Sequence, residues 1–174
     1  MAGAANHRGA SRQDYGTPWE FIAAVEAQFG PISFDLAASW TNAKTPWYLC
    51  EAHNALEWDW QRLERVFGRR LWLNPPFGNI APWAAKCAAS GASVLLLVQA
   101  SVGSNWWRDH VHGRAFAWFL NGLICFDGKN GFPKDCALIE YGGRPPGYTV
   151  WSWRNDVPTD VPPAEPRLFG KVAA

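Results

Sequence analysis

The sequence predicts an α/β fold in which a mostly parallel central sheet is flanked by helices. Short apolar segments of strand length alternate with segments of helical spacing through the middle of the chain. Residues 93–98 form a continuous apolar run, which is typical of a parallel strand buried on both faces. A strand at 71–73 stops at two consecutive prolines, which cannot donate to a sheet ladder. Alternation of strand, helix and strand favours right-handed crossovers in a single sheet.

The first helix is predicted to begin at a capping box and to end at a Gly-Pro step. Thr17 would cap this helix, Pro18 would take its first position, and Glu20 would reach back to the cap amide. Gly30 and Pro31 would then terminate it. The remaining elements follow from spacing and turn residues. They are a strand at 32–36, a helix at 61–67, a helix at 80–90 capped by Asn79, a helix from Ser104 to 112, strands at 115–120, 123–126 and 137–141, and an edge strand at 148–153.

Composition describes one globular domain. The chain has 174 residues, of which 48% are hydrophobic and 18% are charged, whereas a disordered chain would carry more charge. We expect an N-terminal segment at 1–14, one domain at 15–154 and a Pro-rich tail at 155–174. The chain shows no signal-peptide core and no membrane-length apolar run, so we expect a cytoplasmic protein without a membrane partner.

Charge and cysteine spacing exclude some classes of site. The net charge is +1, so affinity for a nucleic acid would have to come from a local basic patch. The four cysteines form no Cys-x-x-Cys pair, and we therefore expect reduced thiols and no metal. No cysteine follows a proline, which excludes methylation of cytosine at C5 through a Pro-Cys nucleophile.

The sharpest candidate site is Asn74-Pro75-Pro76-Phe77, which follows a predicted strand. Ligands of open α/β sheets bind at the carboxyl ends of the strands. An aromatic amino nitrogen attacks a methyl sulfonium poorly, because its lone pair is delocalised into the ring. The Asn74 side-chain oxygen and the Pro75 carbonyl could hold the amino hydrogens and favour a tetrahedral nitrogen, while Phe77 offers a flat face to a flipped base. The alternative is that these residues are only a rigid turn.

An upstream segment is a candidate cofactor site. Asp35 ends a predicted strand and could hold an ammonium group, and the small residue Ala37 would let a cofactor approach the backbone. The helix start at Thr17-Pro18 could bind a carboxylate through its free amides. A buried Asp that caps a loop, and a plain helix cap, are the alternatives for these two features.

These motifs together resemble the phage-type DNA N6-adenine methyltransferases over residues 14–142. The resemblance rests on Tyr15-x-Thr17-Pro18, Phe34-Asp35-Leu36, Asn42-Ala43-Lys44, Leu73-Asn74-Pro75-Pro76-Phe77, Val94 to Leu97, Trp106-Trp107 and Gly122 to Phe126. It implies a Rossmann-like fold that binds S-adenosylmethionine and transfers its methyl group to a flipped adenine in DNA, expected to be double-stranded. It also implies a phage or prophage origin, a bacterial host cytoplasm, and protection of DNA from restriction.

The resemblance assigns residues to the cofactor and to catalysis. Cofactor contacts are expected at Tyr15, Thr17, Pro18, Asp35, Ala37 and Asn54, and catalysis at Asn74, Pro75, Pro76 and Phe77. The family often has an acidic residue at the position of Asn54, so Glu51 or Asp59 could replace it at the adenosine end.

DNA contacts are predicted at Lys86, Arg108, Lys129 and Lys134, of which Lys129 belongs to the Gly-rich segment 127–131. A solvated hairpin tip is the alternative for that segment. Two functional alternatives stay open: methylation of cytosine at N4, which uses the same geometry, and a catalytically silent DNA-binding module with the same fold.

Overall fold

The computed structural model describes residues 16–126 and 132–159. Its helices and strands, in chain order, are α1 (Trp19–Phe29), β1 (Phe34–Asp35), α2 (Trp60–Phe67), β2 (Leu71–Leu73), α3 (Ala81–Ser90), β3 (Val94–Gln99), α4 (Asn105–His110), β4 (Phe116–Leu120), β5 (Cys136–Tyr141) and β6 (Gly147–Trp151). Short 3₁₀ helices at Glu51–His53, Ala55–Glu57 and Trp153–Asp156 complete the described elements. Tyr15 and Lys129 lie outside the described residues.

The six described strands form one mixed sheet in the order β1-β2-β3-β5-β4-β6. β1, β2 and β3 pair in parallel, and β4 pairs in parallel with β6. β5 lies between β3 and β4 and is antiparallel to both. The α/β class is confirmed, and the prediction of a mostly parallel sheet needs correction at β5.

The direction of β5 follows from its connection rather than from its composition. Parallel neighbours need a crossover of a dozen or more residues, usually a helix. No helical spacing is present between β4 and β5, so β5 returns beside β4 in the opposite direction. An apolar run such as Ala137–Ile139 is equally typical of either direction when both faces are buried.

Helices cover both faces of the sheet, and the side chains of β3 alternate between two apolar cores. Leu96 and Val98 pack on the face that α2, α3 and α4 cover. Leu95 and Leu97 pack on the opposite face, against α1. Because β3 is covered on both sides, its unbroken apolar sequence is the pattern of a central strand. This burial holds the carboxyl ends of β2 and β3 in place.

Two helix starts differ from the sequence prediction. Pro18 is the N-cap of α1, without a side-chain cap bond, so the capping box of Thr17 and Glu20 is wrong. The Thr17 hydroxyl instead accepts a hydrogen bond from Asn74. Ile80, not Asn79, is the N-cap of α3. The Ser104 cap of α4 is confirmed, since its side chain accepts a bond from the Trp107 amide.

The strand expected at 123–126 is wrong. The carbonyls of Gly122 and Leu123 accept hydrogen bonds from the side chains of Trp153 and Arg154. These bonds satisfy the backbone without a neighbouring strand. The sheet positions beside β4 are already taken by β5 and β6.

The described fold continues past the boundary expected at 154. The 3₁₀ helix Trp153–Asp156 follows β6, and the Trp153 side chain is fully buried. The Asp156 carboxylate accepts a bond from the Trp151 indole. No helix within the described ranges has the length and apolar character needed to cross a bilayer.

Two glycines with nearly the same positive φ provide a test of packing at the amino end of β3. Gly142 has φ +70°, and a Cβ there would lie 3.1 Å from the Ala92 carbonyl oxygen. Gly113 has φ +69° and no described atom within 4 Å of such a Cβ. We expect Gly113→Ala to lower the free energy of unfolding by about 1–2 kcal/mol through left-handed strain alone. Gly142→Ala should cost about 1–3 kcal/mol more, because the backbone must also shift.

Urea denaturation of both variants measures this difference. Equal losses of stability in the two variants would show that the contact between Gly142 and the Ala92 backbone is relaxed without cost.

Candidate active site

A cavity of about 900 Å³ opens at the carboxyl ends of β1 and β2. Three loop segments form its walls: residues 36–42 after β1, residues 49–55, and residues 74–77 after β2. Trp83 of α3 adds an aromatic side chain to the lining. This volume lies within the range of small-molecule and cofactor sites. The position agrees with the rule that α/β sheets bind ligands at this edge.

Hydrogen bonds continue the pairing of β1 and β2 into the cavity walls. The Leu36 amide donates to the Trp72 carbonyl at 2.9 Å, so the chain leaves β1 alongside β2. Tyr48 forms a parallel bridge with Asp35 on the other side of β1. The Ala38 amide then donates to the Leu49 carbonyl at 2.9 Å. These bonds hold the first two walls against each other.

The predicted catalytic loop lines the cavity along its whole length, Asn74, Pro75, Pro76 and Phe77 included. The Asn74 side-chain amide donates to the Thr17 hydroxyl oxygen, with 3.0 Å between Nδ2 and Oγ1. Thr17 is almost fully buried, and the Asn74 Oδ1 atom is also buried. Because the amide nitrogen points to Thr17, the carboxamide is fixed in one orientation. Thr17, two residues before α1, therefore positions a side chain 57 positions later in the chain.

Asp35 is buried behind the cavity wall formed by residues 36–42, and its carboxylate binds backbone amides of this segment and of the residues that follow it. Its Oδ1 accepts a bond from the Ala37 amide at 3.2 Å, and its Oδ2 accepts one from the Lys44 amide at 3.0 Å. Burial raises the pKa of Asp35 to about 6, and the Lys44 and Ala37 amides only partly offset it. Burial also lowers the pKa of the Lys44 ammonium, which lies 4.5 Å from the centre of the Trp19 ring. Ala37 lines the cavity, whereas the Asp35 carboxylate binds the loop around it.

The structure distinguishes the acids considered for the adenosine end. Asn54 and Glu51 both line the cavity. Asn54 has φ +45° and donates through its side chain to Glu57 at 2.6 Å. Asp59 caps α2 by accepting a bond from the Arg62 amide. Of the two acids considered, Glu51 is therefore the one at the cavity.

Phe77 connects the predicted catalytic loop to the opposite side of the sheet. Its ring centre lies 5.7 Å from that of Phe126 and 5.5 Å from that of Phe132, in edge-on arrangements. Phe77 belongs to the apolar core under α3, whereas Phe126 and Phe132 pack against the core under α1. Their contact with Phe77 had no signal in the sequence, because residues about 50 positions apart meet only in the fold.

The predicted DNA-binding cations lie in different surroundings. Lys134 donates to the Gln99 side chain at 3.3 Å, at the same sheet edge as the catalytic loop. Lys86 lies on α3, 5.6 Å from the centre of the Trp60 ring. Arg108 forms a two-point ion pair with Asp109, with contacts of 2.6 and 2.9 Å. The structure thus places Lys134 at the carboxyl edge of the sheet, while Lys86 on α3 contacts Trp60 of α2 and Arg108 pairs with its neighbour Asp109.

Asn42 lines the cavity but was not among the site residues predicted from the sequence. Its Oδ1 accepts a bond from the Ser39 amide at 2.6 Å. The signal available in the sequence was an Asn that follows Ser by three positions, a pattern common in side-chain-closed turns. The described ranges hold no group of three or more metal-binding side chains.

Comparison with known proteins gives the family of the chain. A family model described as DNA N-6-adenine-methyltransferase (Dam) matches residues 4–135. The chain belongs to this family. A DNA N-6-adenine-methyltransferase from Haemophilus phage HP1 is 26% identical over 128 residues, which cover 70% of each chain. The resemblance identified from sequence motifs is therefore confirmed, and so is the prediction of a DNA adenine-N6 methyltransferase. The mixed sheet is compatible with a methyltransferase fold.

Burial of Asp35 gives the stability of this family member a defined pH dependence. The folded pKa of about 6 lies above the ordinary value of 3.8. Between these values the folded protein keeps a proton that the unfolded chain releases, so the contribution of Asp35 is full at low pH and declines as pH rises to about 6. We expect Asp35→Asn to remove this decline, a difference of up to about 3 kcal/mol between acidic and neutral pH.

Denaturation of both proteins across this pH range checks the prediction. Asp109→Asn is the control, since bonding to Arg108 lowers the pKa of Asp109 and the stability it provides is lost as pH falls. Parallel stability curves for the wild type and Asp35→Asn would contradict the prediction.

Proposed function

We propose that this protein transfers a methyl group from S-adenosylmethionine to the N6 amino group of an adenine flipped out of duplex DNA. The observation that carries the proposal is the orientation of Asn74. Its amide nitrogen binds buried Thr17, inside a rigid Pro-Pro loop that lines the cavity at the end of β2. Family membership supports adenine N6 as the acceptor.

The chemistry requires acceptors for the two amino hydrogens of adenine. With Nδ2 bonded to Thr17, the Oδ1 of Asn74 is the atom that can accept one of them. The Pro75 carbonyl is the proposed second acceptor. Two acceptors placed off the ring plane would draw the nitrogen lone pair out of conjugation and towards a methyl donor. The new nitrogen–carbon bond would form as the carbon–sulfur bond breaks with its electron pair left on sulfur, and the surplus amino proton would pass to solvent. The fixed placement of the two acceptors lowers the reorganisation needed in the transition state.

The cavity suits S-adenosylmethionine, which when bound supplies an electrophilic methyl group on sulfur. Small side chains at Ala37, Ala38 and Ser39 leave the wall open to close approach. Asp35 holds the backbone of this wall in place, and the start of α1 at Thr17 and Pro18, with Tyr15 before it, is the proposed position for the methionine end.

The adenosine end is proposed to lie between residues 49–55 and Trp83. Glu51 provides a carboxylate there that can accept hydrogen bonds from ribose hydroxyls. It would replace the acidic residue that the family often has at the position of Asn54. Leu49 and Ala55 give this part of the lining an apolar surface for a purine ring.

The DNA is proposed to reach the cavity from the carboxyl edge of the sheet. Phe77 would stack on the flipped base, held by Phe126 and Phe132. Of the predicted DNA-binding cations within the described residues, Lys134 is the one that lies at this edge, and we assign it a contact with a DNA phosphate. The similarity to a phage enzyme supports a phage or prophage origin, in which methylation protects DNA from restriction.

The test is transfer of labelled methyl groups from S-adenosylmethionine to unmethylated duplex DNA, followed by digestion and identification of the modified nucleoside. N6-methyldeoxyadenosine is the expected product. N4-methyldeoxycytidine would keep the geometry but overturn the substrate, and cofactor binding without a DNA product would favour the silent module.

Removal of the Asn74 side chain should separate binding from catalysis. We expect Asn74→Ala to keep cofactor affinity in calorimetry and to lower kcat by about 100-fold or more, as for other acceptors or donors aimed at a transition state. Asn155→Ala, on the exposed face of the last 3₁₀ helix, is the control. Normal turnover of Asn74→Ala would exclude this role.

Thr17 offers a finer test of how Asn74 is positioned. Thr17→Val keeps the side-chain shape but removes the acceptor for the Asn74 amide, whereas Thr17→Ser keeps the hydroxyl. Loss of one hydrogen bond of about 1 kcal/mol predicts a fall in kcat of roughly fivefold in Thr17→Val. Thr17→Ser should stay near the wild type. If both variants lose the same activity, Thr17 acts through packing and not through this hydrogen bond.

A further inference from the structure

Three partly exposed tryptophans lie in, or close in sequence to, the segments that form the cavity, and they differ in what holds them. Trp47 is 48% exposed and its ring packs 5.3 Å from that of Phe67. Trp58 is 42% exposed and its indole donates to the His53 carbonyl at 2.9 Å. Trp40 is 79% exposed, the most of any large apolar side chain in the described ranges. No ring contact or indole hydrogen bond holds Trp40 to the rest of the described chain.

The turn that carries Trp40 is nevertheless firmly held. The Ser39 amide donates to Asn42 Oδ1 at 2.6 Å, and the Asn42 amide donates back to the Ser39 carbonyl at 3.2 Å. The Ser39 and Thr41 hydroxyls are 2.8 Å apart. The buried Asp35 carboxylate then fixes the Lys44 amide that follows. An apolar ring is thus presented to solvent by a rigid turn, where polar residues are the usual choice.

The location of this turn indicates what the ring can meet. Ser39 and Asn42, on either side of Trp40, line the cavity, but Trp40 does not. A side chain that lines the cavity would contact the cofactor, whereas a ring at the cavity mouth can contact the DNA substrate as it binds. The nearest cation in sequence, Lys44, is partly buried, and its ammonium lies over the Trp19 ring, so it gives this turn little attraction for phosphate. The turn therefore suits a base rather than the DNA backbone.

We propose that Trp40 stacks on a nucleobase of the DNA at the mouth of the cavity. This inference rests on the proposed function, because it needs DNA at this edge of the sheet. Indole faces stack on any base without reading its sequence, and one such contact typically strengthens binding by a factor of about 10 or more. The ring would hold the DNA against the cavity while the adenine occupies it. Trp40 is thus a substrate-binding residue outside the catalytic loop.

The experiment compares full-length variants in binding to a labelled, unmethylated duplex, with calorimetry of S-adenosylmethionine in parallel. We expect Trp40→Ala to raise the Kd and the KM for DNA by about tenfold, with cofactor affinity and kcat unchanged. The dependence of log Kd on log salt should keep its slope, because no phosphate contact is lost. Trp40→Phe should retain most of the affinity, while Trp40→Leu should behave as Trp40→Ala.

Tyr148→Ala is the matched control. Tyr148 is 77% exposed on β6, at the sheet edge farthest from β1, and its loss should leave DNA binding unchanged. Wild-type affinity in Trp40→Ala would overturn the inference, as would full affinity in Trp40→Leu. A loss of cofactor affinity would overturn it differently, by assigning the ring to the adenine of S-adenosylmethionine. Failure of the wild type itself to methylate DNA would instead reject the proposed function, and the inference with it.

Discussion

The parallel pairing of β1 with β2 is the constraint on which the rest of the site depends. Phe34 pairs with Leu71 and Asp35 with Trp72, so both strands end at the same edge of the sheet. The two following loops therefore face each other across one cavity. A shift of one residue in this register would turn the side chains of β1 to the opposite faces, and Asp35 would no longer reach the amides of its own loop. The buried cores on either face make such a shift costly, because they specify which side chains point inward.

Buried polar groups give the cavity its rigidity. The Asp35 carboxylate closes the first wall by accepting two backbone amides, and its pKa is raised because burial outweighs these bonds. Thr17 accepts a hydrogen bond from the Asn74 amide and holds the loop Asn74–Phe77 to the chain just before α1. Such groups contribute less to net stability than apolar contacts do, but each has one satisfied geometry. A methyl-transfer site needs this fixed geometry, since the acceptors must be in place before the reaction.

One group of aromatic side chains packs the sheet against α1, and a second group holds the loop at Phe77. Trp72 and Trp153 are buried with Phe21 in the core under α1 and hold the sheet to the helix. Phe77, Phe126 and Phe132 join the catalytic loop to the same side of the sheet. Trp40 belongs to neither group, because its ring faces solvent on a rigid turn. With a net charge of only +1, the chain has little overall electrostatic attraction for DNA, and this is consistent with the base contacts proposed for its aromatic side chains.

The sequence by itself determined the α/β class, most helices and strands, and the candidate loop from Asn74 to Phe77. Each of these depends on local information: apolar spacing, turn residues, and prolines that end a strand. The direction of β5, the irregular path at 123–126, and the bond between Thr17 and Asn74 were decided only by the tertiary structure. Apolar periodicity carries no strand direction, and a hydroxyl that could cap its own helix can equally bind a distant amide. Which partner it takes depends on where the sheet places the other chain segment, and that placement is a property of the whole fold.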